Sequence, residues 1–346
     1  MQVEKPLIDQ LKGIIWLHVE GAQPEAFVPT DPAASGRESF SEVFLTRQLR
    51  DAIYRLNRDP RGNPWLTGDR LSQAVNALTR IGSTSLLEAN QQATDLLLNG
   101  ITVEGVPGWN DGRDQRIHYI DWECPLNNDF VVISQFRVDI PGTQGKRFIV
   151  PDEVLFVNGI PLVLVECKKP GSTEAMAEAI RQHQRYADRR GSQSPEGNPK
   201  LFHTMQLLVA TCGDRALLGS ITSGSEHYQA WRDPYPMTKE ELAQRLKKRQ
   251  SAVTAQDILA GVILHPQRLL DLVHNYVTFM QTDAGKTVKV VPRYQQYRAV
   301  CRSVERLTSG KTRKQDGRQD QRGGIIWHTQ GSVSYTHLRA HETGRN

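Results

Sequence analysis

The chain has 346 residues, 38% hydrophobic and 23% charged, with a net charge of +5 and a pI near 9.0. That length suits one large domain with a partial second, or two ordinary ones, and the mild basic excess permits a polyanionic partner without demanding one. No run approaches the roughly 18 consecutive apolar residues of a membrane span, and the opening "MQVEKPLIDQLKG" lacks the apolar core of a signal peptide, so a cytoplasmic protein with no membrane partner is expected. Cys124, Cys167, Cys212 and Cys301 stand far apart without a C-x-x-C pair, a spacing that suggests neither a zinc knuckle nor a disulfide framework and predicts reduced, partly buried thiols.

In chain order, "EKPLIDQLKGIIWLHV" has helical apolar spacing up to a glycine and then an extended run. After a Pro/Ala/Gly loop, the spacing predicts an amphipathic helix over 38–57, and two more in "LSQAVNALTRI" and "LLEANQQATDLLLNG". Beyond Gly100 the pattern changes to short extended runs, "ITVEG", "RIHYIDW", "DFVVISQFRVD", "EVLFV" and "PLVLVEC". A helix is expected in "EAMAEAIRQHQRYADRR", a central strand in "FHTMQLLVATCG", and helices in "EELAQRLKKRQ" and "HPQRLLDLVHNYVTFM". The basic stretch 308–324 reads as a solvated loop. The expected fold is α/β, helices around a mixed, mostly antiparallel sheet.

The stretch "VPDEVLFVNGIPLVLVECKKP" sets charged residues at the rims of two apolar runs. Asn-Gly between β-rich runs is the strongest short hairpin signal. A two-residue loop pairs Val157 with Ile160 and sends Asp152 and Glu166 to opposite faces of the sheet. A three-residue loop, Val157-Asn158-Gly159, pairs Phe156 with Ile160 and puts Glu166 on the face of Asp152 as a diagonal neighbour, roughly 7–8 Å away. The second register is favoured, because it lets one divalent ion bridge both carboxylates with Lys168 on the same face. The plainer alternative is a turn aspartate followed by a solvated strand end; against it, Glu166 directly follows "PLVLV", where a buried charge needs a cation or donor. Hard carboxylate oxygens suit Mg²⁺ (or Mn²⁺), and a neighbouring lysine can orient a water or stabilise charge on a phosphate, a set fit for phosphodiester hydrolysis.

Asp152…Glu166-Cys167-Lys168 resembles the PD-(D/E)xK motif, and the wider context is similar to the restriction/motor subunit of type I restriction-modification systems. The resemblance takes in "RESFSEVFLTRQLRDAIYRLN", "LLEANQQATDLLLNG", "RIHYIDWECPLNNDFVVISQFRV" and "MQLLVATCGDRALLGS", over about 3–332. It implies a restriction-endonuclease-like core over 1–260, a linker and truncated start of a helicase/ATPase motor over 261–332, and Asp152, Glu166 and Lys168 as the catalytic set. It further implies that Gln182 and Tyr186 match a Q-x-x-x-Y pair supporting DNA contact. A glutamate on the first helix is implied too; among Glu4, Glu42 and Glu88, each in a segment of helical pattern, Glu4 is preferred as a further metal ligand.

"VPRYQQYRAV" is similar to the lead-in to the motor, with Gln295 and Gln296 where adenine is contacted, and Thr329, Gly331 and Ser332 in "GGIIWHTQGS" resemble the strand and start of a P-loop. ATP is therefore implied for the complete protein only, and the implied partners are double-stranded DNA and the methyltransferase and specificity subunits. "VSYTHLRAHET", in 333–346, matches an in-frame translation of a transposon-derived sequencing adaptor; it is expected to be a read artefact, and His337 and His341 are assigned no function. The alternatives are a non-cleaving docking module and a free-standing nuclease.

Overall fold

The computed structural model describes residues 2–22, 28–83, 85–106 and 109–326. The chain forms two compact units, Met1–Ala230 with Thr254–Val291, and Trp231–Val253 with Pro292–Asn346. This grouping crosses the boundary expected near residue 260: residues 261–291 go with the first unit, and 231–253 with the second.

The first unit opens with α1 (Glu4–Lys12) and β1 (Leu17–Glu20), followed by α2 (Thr46–Leu56), α3 (Gly68–Thr79) and α4 (Leu86–Asn99). α2 is shorter than the sequence predicts. Residues 38–45 form a non-helical approach in which Phe40, Val43, Phe44 and Leu45 are all buried, so their apolar spacing serves loop packing, and Glu42 lies outside any helix. Arg37, buried in the same approach, lays its guanidinium 3.8 Å from the Phe136 ring centroid and donates to the carbonyls of Glu42 and Arg137.

"ITVEG" and "RIHYIDW" give only the small hairpin β2 (Ile101–Val103) and β3 (Gln115–Ile117), apart from the main sheet. Then come β4 (Phe130–Ser134), the short pair β5 (Val138–Asp139) and β6 (Phe148–Ile149), β7 (Glu153–Val157) and β8 (Ile160–Cys167). α5 (Ala175–Tyr186) leads to β9 (Leu207–Thr211), β10 (Ala216–Gly219) and β11 (Gln229–Ala230). The seven-stranded sheet runs β1-β4-β7-β8-β9-β10-β11; β1/β4 and β8/β9 are parallel and the other neighbours antiparallel. Every residue of β4, β7, β8 and β9 is buried, which is why these strands read as continuous apolar runs. The restriction-endonuclease-like α/β core expected from the sequence is present, with α5 packed on β8 and β9.

α6 (Lys239–Arg245) belongs to the second unit, and the first is completed by α7 (Ala255–Ile258), α8 (Pro266–Asn275) and the hairpin β12 (Thr278–Gln281)–β13 (Thr287–Val290). The helix expected to continue through "YVTFM" stops at Asn275, and the β-branched and aromatic run pairs as a strand. Lys289 of β13 is buried and donates to Asn90 Oδ1 (2.7 Å), Gln206 Oε1 (2.7 Å) and the Met205 carbonyl (3.1 Å), which ties the hairpin to the body.

The second unit holds α6 (Lys239–Arg245), α9 (Tyr294–Ser309) and α10 (Arg313–Asp316). α10 is one short turn within the stretch expected to be all loop. Residues 323–326 carry no regular structure where a strand is expected, and the remainder of that strand and the 333–346 segment lie outside the described residues. All four cysteines are free, with Cys167 and Cys212 buried, Cys301 intermediate and Cys124 exposed. Among the described residues no helix is long and apolar enough to cross a membrane.

Candidate active site

The β7–β8 turn is a two-residue one, contrary to the favoured three-residue reading: Val157 pairs with Ile160, and Asn158 (φ 52°) and Gly159 (φ 76°) both take left-handed backbone. The register then shifts between Leu155 and Phe156, so that Leu155 faces Val163 and Glu153 faces Val165. Leu162 is the extra residue of a β-bulge beside Pro161, which has no N–H to give the ladder. One step beyond the Glu153–Val165 pair, Asp152 comes level with Glu166. The bulge thus brings the carboxylates together, as direct neighbours rather than diagonal ones.

Asp152 sits just before β7, where its Oδ2 accepts the Cys167 backbone N–H at 2.7 Å. Its own carbonyl accepts the Gln135 N–H, also at 2.7 Å. Gln135 directly follows β4 with φ 51°, an unfavourable backbone for a non-glycine residue, and its side-chain amide points at Asp152 Oδ1 from 3.5 Å. Glu166 lies at the end of β8 with 1% of its side chain exposed, and Lys168 follows with 15%. Lys168 Nζ donates to Glu166 Oε1 at 3.1 Å and to Gln182 Oε1 at 2.5 Å.

Burial raises the Asp152 carboxyl above its usual range, although the Cys167 N–H and Lys168 oppose it. Burial and then Asp152 push Glu166 well up, despite Lys168. For Lys168, burial disfavours the charge, but Glu166, Asp152 and Glu178 outweigh it and hold the ammonium above its ordinary value.

From α5, Gln182 donates through Nε2 to Tyr186 Oη, and buried Tyr186 donates to the Val150 carbonyl at 3.0 Å. Gln182 and Tyr186 therefore link Lys168 to the strand lead-in that carries Asp152. One turn before Gln182, Glu178 brings Oε1 to 3.6 Å from Lys168 Nζ. Gln135 and Glu178 were not singled out from the sequence. Glu178 had a signal in its i, i+4 spacing to Gln182; Gln135 had none, because its place depends on a backbone conformation.

Glu4 opens α1, half-buried, with its carboxyl raised by burial and next by Asp152. It senses the site, but among the described residues no group of three or more His, Cys, Asp or Glu is close enough to hold a metal. Glu42 is in loop, and Glu88 accepts from Ser83 Oγ on α4. The pair that the strand register brings level is Asp152 with Glu166. It fits Mg²⁺, which commonly uses one or two carboxylates and keeps several waters. Glu166 Oε2 supports the fit, being buried without a hydrogen-bond donor facing it.

The model for the type I restriction enzyme R protein N terminus matches residues 2–227. The chain belongs to this family. Its relatives include the type I restriction enzyme HindI endonuclease subunit of Haemophilus influenzae, 28% identical over 95% of this chain and 28% of that protein. The provisionally named MjaVIIIP endonuclease subunit of Methanocaldococcus jannaschii is 30% identical over 95% of this chain and 27% of its own length. The EcoprrI endonuclease subunit of Escherichia coli is 29% identical over 54% of this chain and 52% of its own. The chain thus spans under a third of the length of the first two.

Those two alignments of the R-protein family cover the second unit as well as the first. There Gln295 lines a cavity of about 500 Å³ with Tyr294, Arg298, Arg302 and Arg306, and its Oε1 is buried without a partner. Gln296 is engaged differently, its Oε1 accepting the Arg293 N–H at 2.8 Å at the start of α9. Thr329, Gly331 and Ser332 lie outside the described residues.

Proposed function

We propose that this chain is the nuclease portion of a type I restriction endonuclease subunit, and that it hydrolyses phosphodiester bonds of double-stranded DNA with Mg²⁺ or Mn²⁺. In the complete complex the substrate is unmodified foreign DNA, brought to this site by ATP-driven translocation, and the partners are methyltransferase and specificity subunits. The relatives' names, each an endonuclease subunit of a type I restriction enzyme, support that assignment. The observation that carries the reading is a buried carboxylate oxygen, Glu166 Oε2, without a donor, level with Asp152 and flanked by an ammonium.

Asp152 and Glu166 hold the cation. When bound, Mg²⁺ polarises a phosphoryl oxygen and makes an attacking water more acidic. Lys168 orients that water or offsets the charge that builds on the phosphate, and Gln182 with Tyr186 fixes where its ammonium stands. Sequence readout is delegated elsewhere in the complex, so contacts from this chain go to phosphates and weaken steeply with salt. In the second unit, Gln295 is the better placed of the two glutamines to face adenine in the complete, ATP-binding protein.

The test is conversion of supercoiled plasmid to nicked circles by the purified chain at low salt with Mn²⁺ or Mg²⁺. Nicking by wild type and its loss in Asp152→Ala is the expected result. Equal nicking by both would remove Asp152 from the mechanism. Inert wild type that stays inert when a related complete complex is supplied would favour a docking role.

A further inference from the structure

We propose that Glu178 is a positioning residue for Lys168, a second seat that takes the ammonium when a divalent cation takes Glu166. The inference rests on the proposed metal site and deepens it. The three N–H bonds of Lys168 face Glu166 Oε1 at 3.1 Å, Gln182 Oε1 at 2.5 Å and Glu178 Oε1 at 3.6 Å. Glu166 is therefore claimed twice: the oxygens that would ligate a cation belong to the carboxylate that pairs with the ammonium. A dication shared by Asp152 and Glu166 neutralises both, and the lysine loses its attraction to that side. Gln182 offers only a dipole. Glu178 is the one other carboxylate within ion-pairing distance of Nζ among the described residues.

The geometry suits an exchange of partners. Glu178, Gln182 and Tyr186 stand at i, i+4 and i+8 of α5, so all three line one face of the helix over the end of β8. The Glu178 side chain is 56% exposed and can close the remaining gap without disturbing the core. Its neighbour Arg181 is already paired with Glu174 at 3.1 Å, which leaves the Glu178 carboxylate to Lys168. Without Glu178, the ammonium stays on Glu166 and competes with the metal.

The experiment is calorimetric titration of Mn²⁺ into the full chain, as wild type, Glu178→Gln, Lys168→Met and the double variant, with circular dichroism confirming that each is folded. Glu178→Gln is expected to weaken Mn²⁺ binding roughly two- to fivefold, as for loss of a part-exposed ion pair. Lys168→Met is expected to erase that effect, so that the double variant binds like Lys168→Met alone. Glu178→Asp, which keeps the charge, is expected to lose less than Glu178→Gln. Unchanged affinity in Glu178→Gln would overturn the proposal, and so would a loss that persists in full without Lys168, since that would be a long-range charge effect. Absence of Mn²⁺ binding by wild type would instead remove the metal site, and this inference with it.

Discussion

Replacing Lys168 with Met keeps most of the apolar stem and removes the charge beside Glu166. The Nζ–Oε1 separation is 3.1 Å, with 15% and 1% of the two side chains exposed. At an effective dielectric constant near 20, that pair attracts by about 5 kcal/mol. The net loss is smaller, because Glu166 can retain a proton when its partner is gone; we expect about 2–3 kcal/mol at pH 7, or roughly 5–10 °C in Tm for a unit of this size. The sign with pH follows from the direction of the Glu166 shift. A folded carboxyl raised above its unfolded value loses stability as pH climbs through the folded pKa, and removal of the ammonium raises it further. The difference between wild type and Lys168→Met therefore widens from pH 5 to pH 8. Chemical denaturation across that range measures it. In a Glu166→Gln background the cost should fall below about 1 kcal/mol. An equal loss in both backgrounds would refute the reasoning, because Lys168 would then act by packing rather than by charge.

Binding of Mg²⁺ should release protons and tighten as pH rises from 6 to 8, because Asp152 and Glu166 both hold protons more firmly than free carboxyls; calorimetry in buffers of different ionisation heat would register this, and a pH-independent affinity would contradict it. Tyr186→Phe removes the donor to the Val150 carbonyl and the acceptor for Gln182. It should cost about 1–2 kcal/mol and lower nicking about tenfold, with metal affinity little changed; unaltered nicking kinetics would separate this pair from the chemistry. Gly159→Ala should cost more than about 2 kcal/mol in denaturant melts, since a Cβ there would stand 2.5 Å from the Leu45 carbonyl oxygen on a backbone of φ 76°. Unchanged stability would mean that the turn can move off α2.

Much of the fold was legible because its strands are buried on both faces and its helices carry apolar stripes. The β7–β8 hairpin announced itself through Asn158-Gly159. Its register did not, because the deciding bulge lies three residues beyond the turn; Pro161 was the available clue, as a strand proline belongs at an edge or a bulge. The overlong α2 came from treating Phe40, Val43, Phe44 and Leu45 as a helix face when tertiary packing spends them on a buried approach. The carboxylates, Lys168, Gln182 and Tyr186 were readable as residue types at meaningful spacings. Gln135 was not, since its role comes from a left-handed backbone just after β4. Glu4 shows the same dependence: its residue type was readable, whereas its electrostatic coupling to Asp152 comes only with the fold.

The most direct test of the account is the position of Mn²⁺ in crystals of the chain, located by anomalous scattering after soaking. The account predicts an ion held by Asp152 and Glu166 Oε2, with Lys168 Nζ withdrawn from Glu166. An ion bound elsewhere, with Lys168 still seated on Glu166, would contradict it.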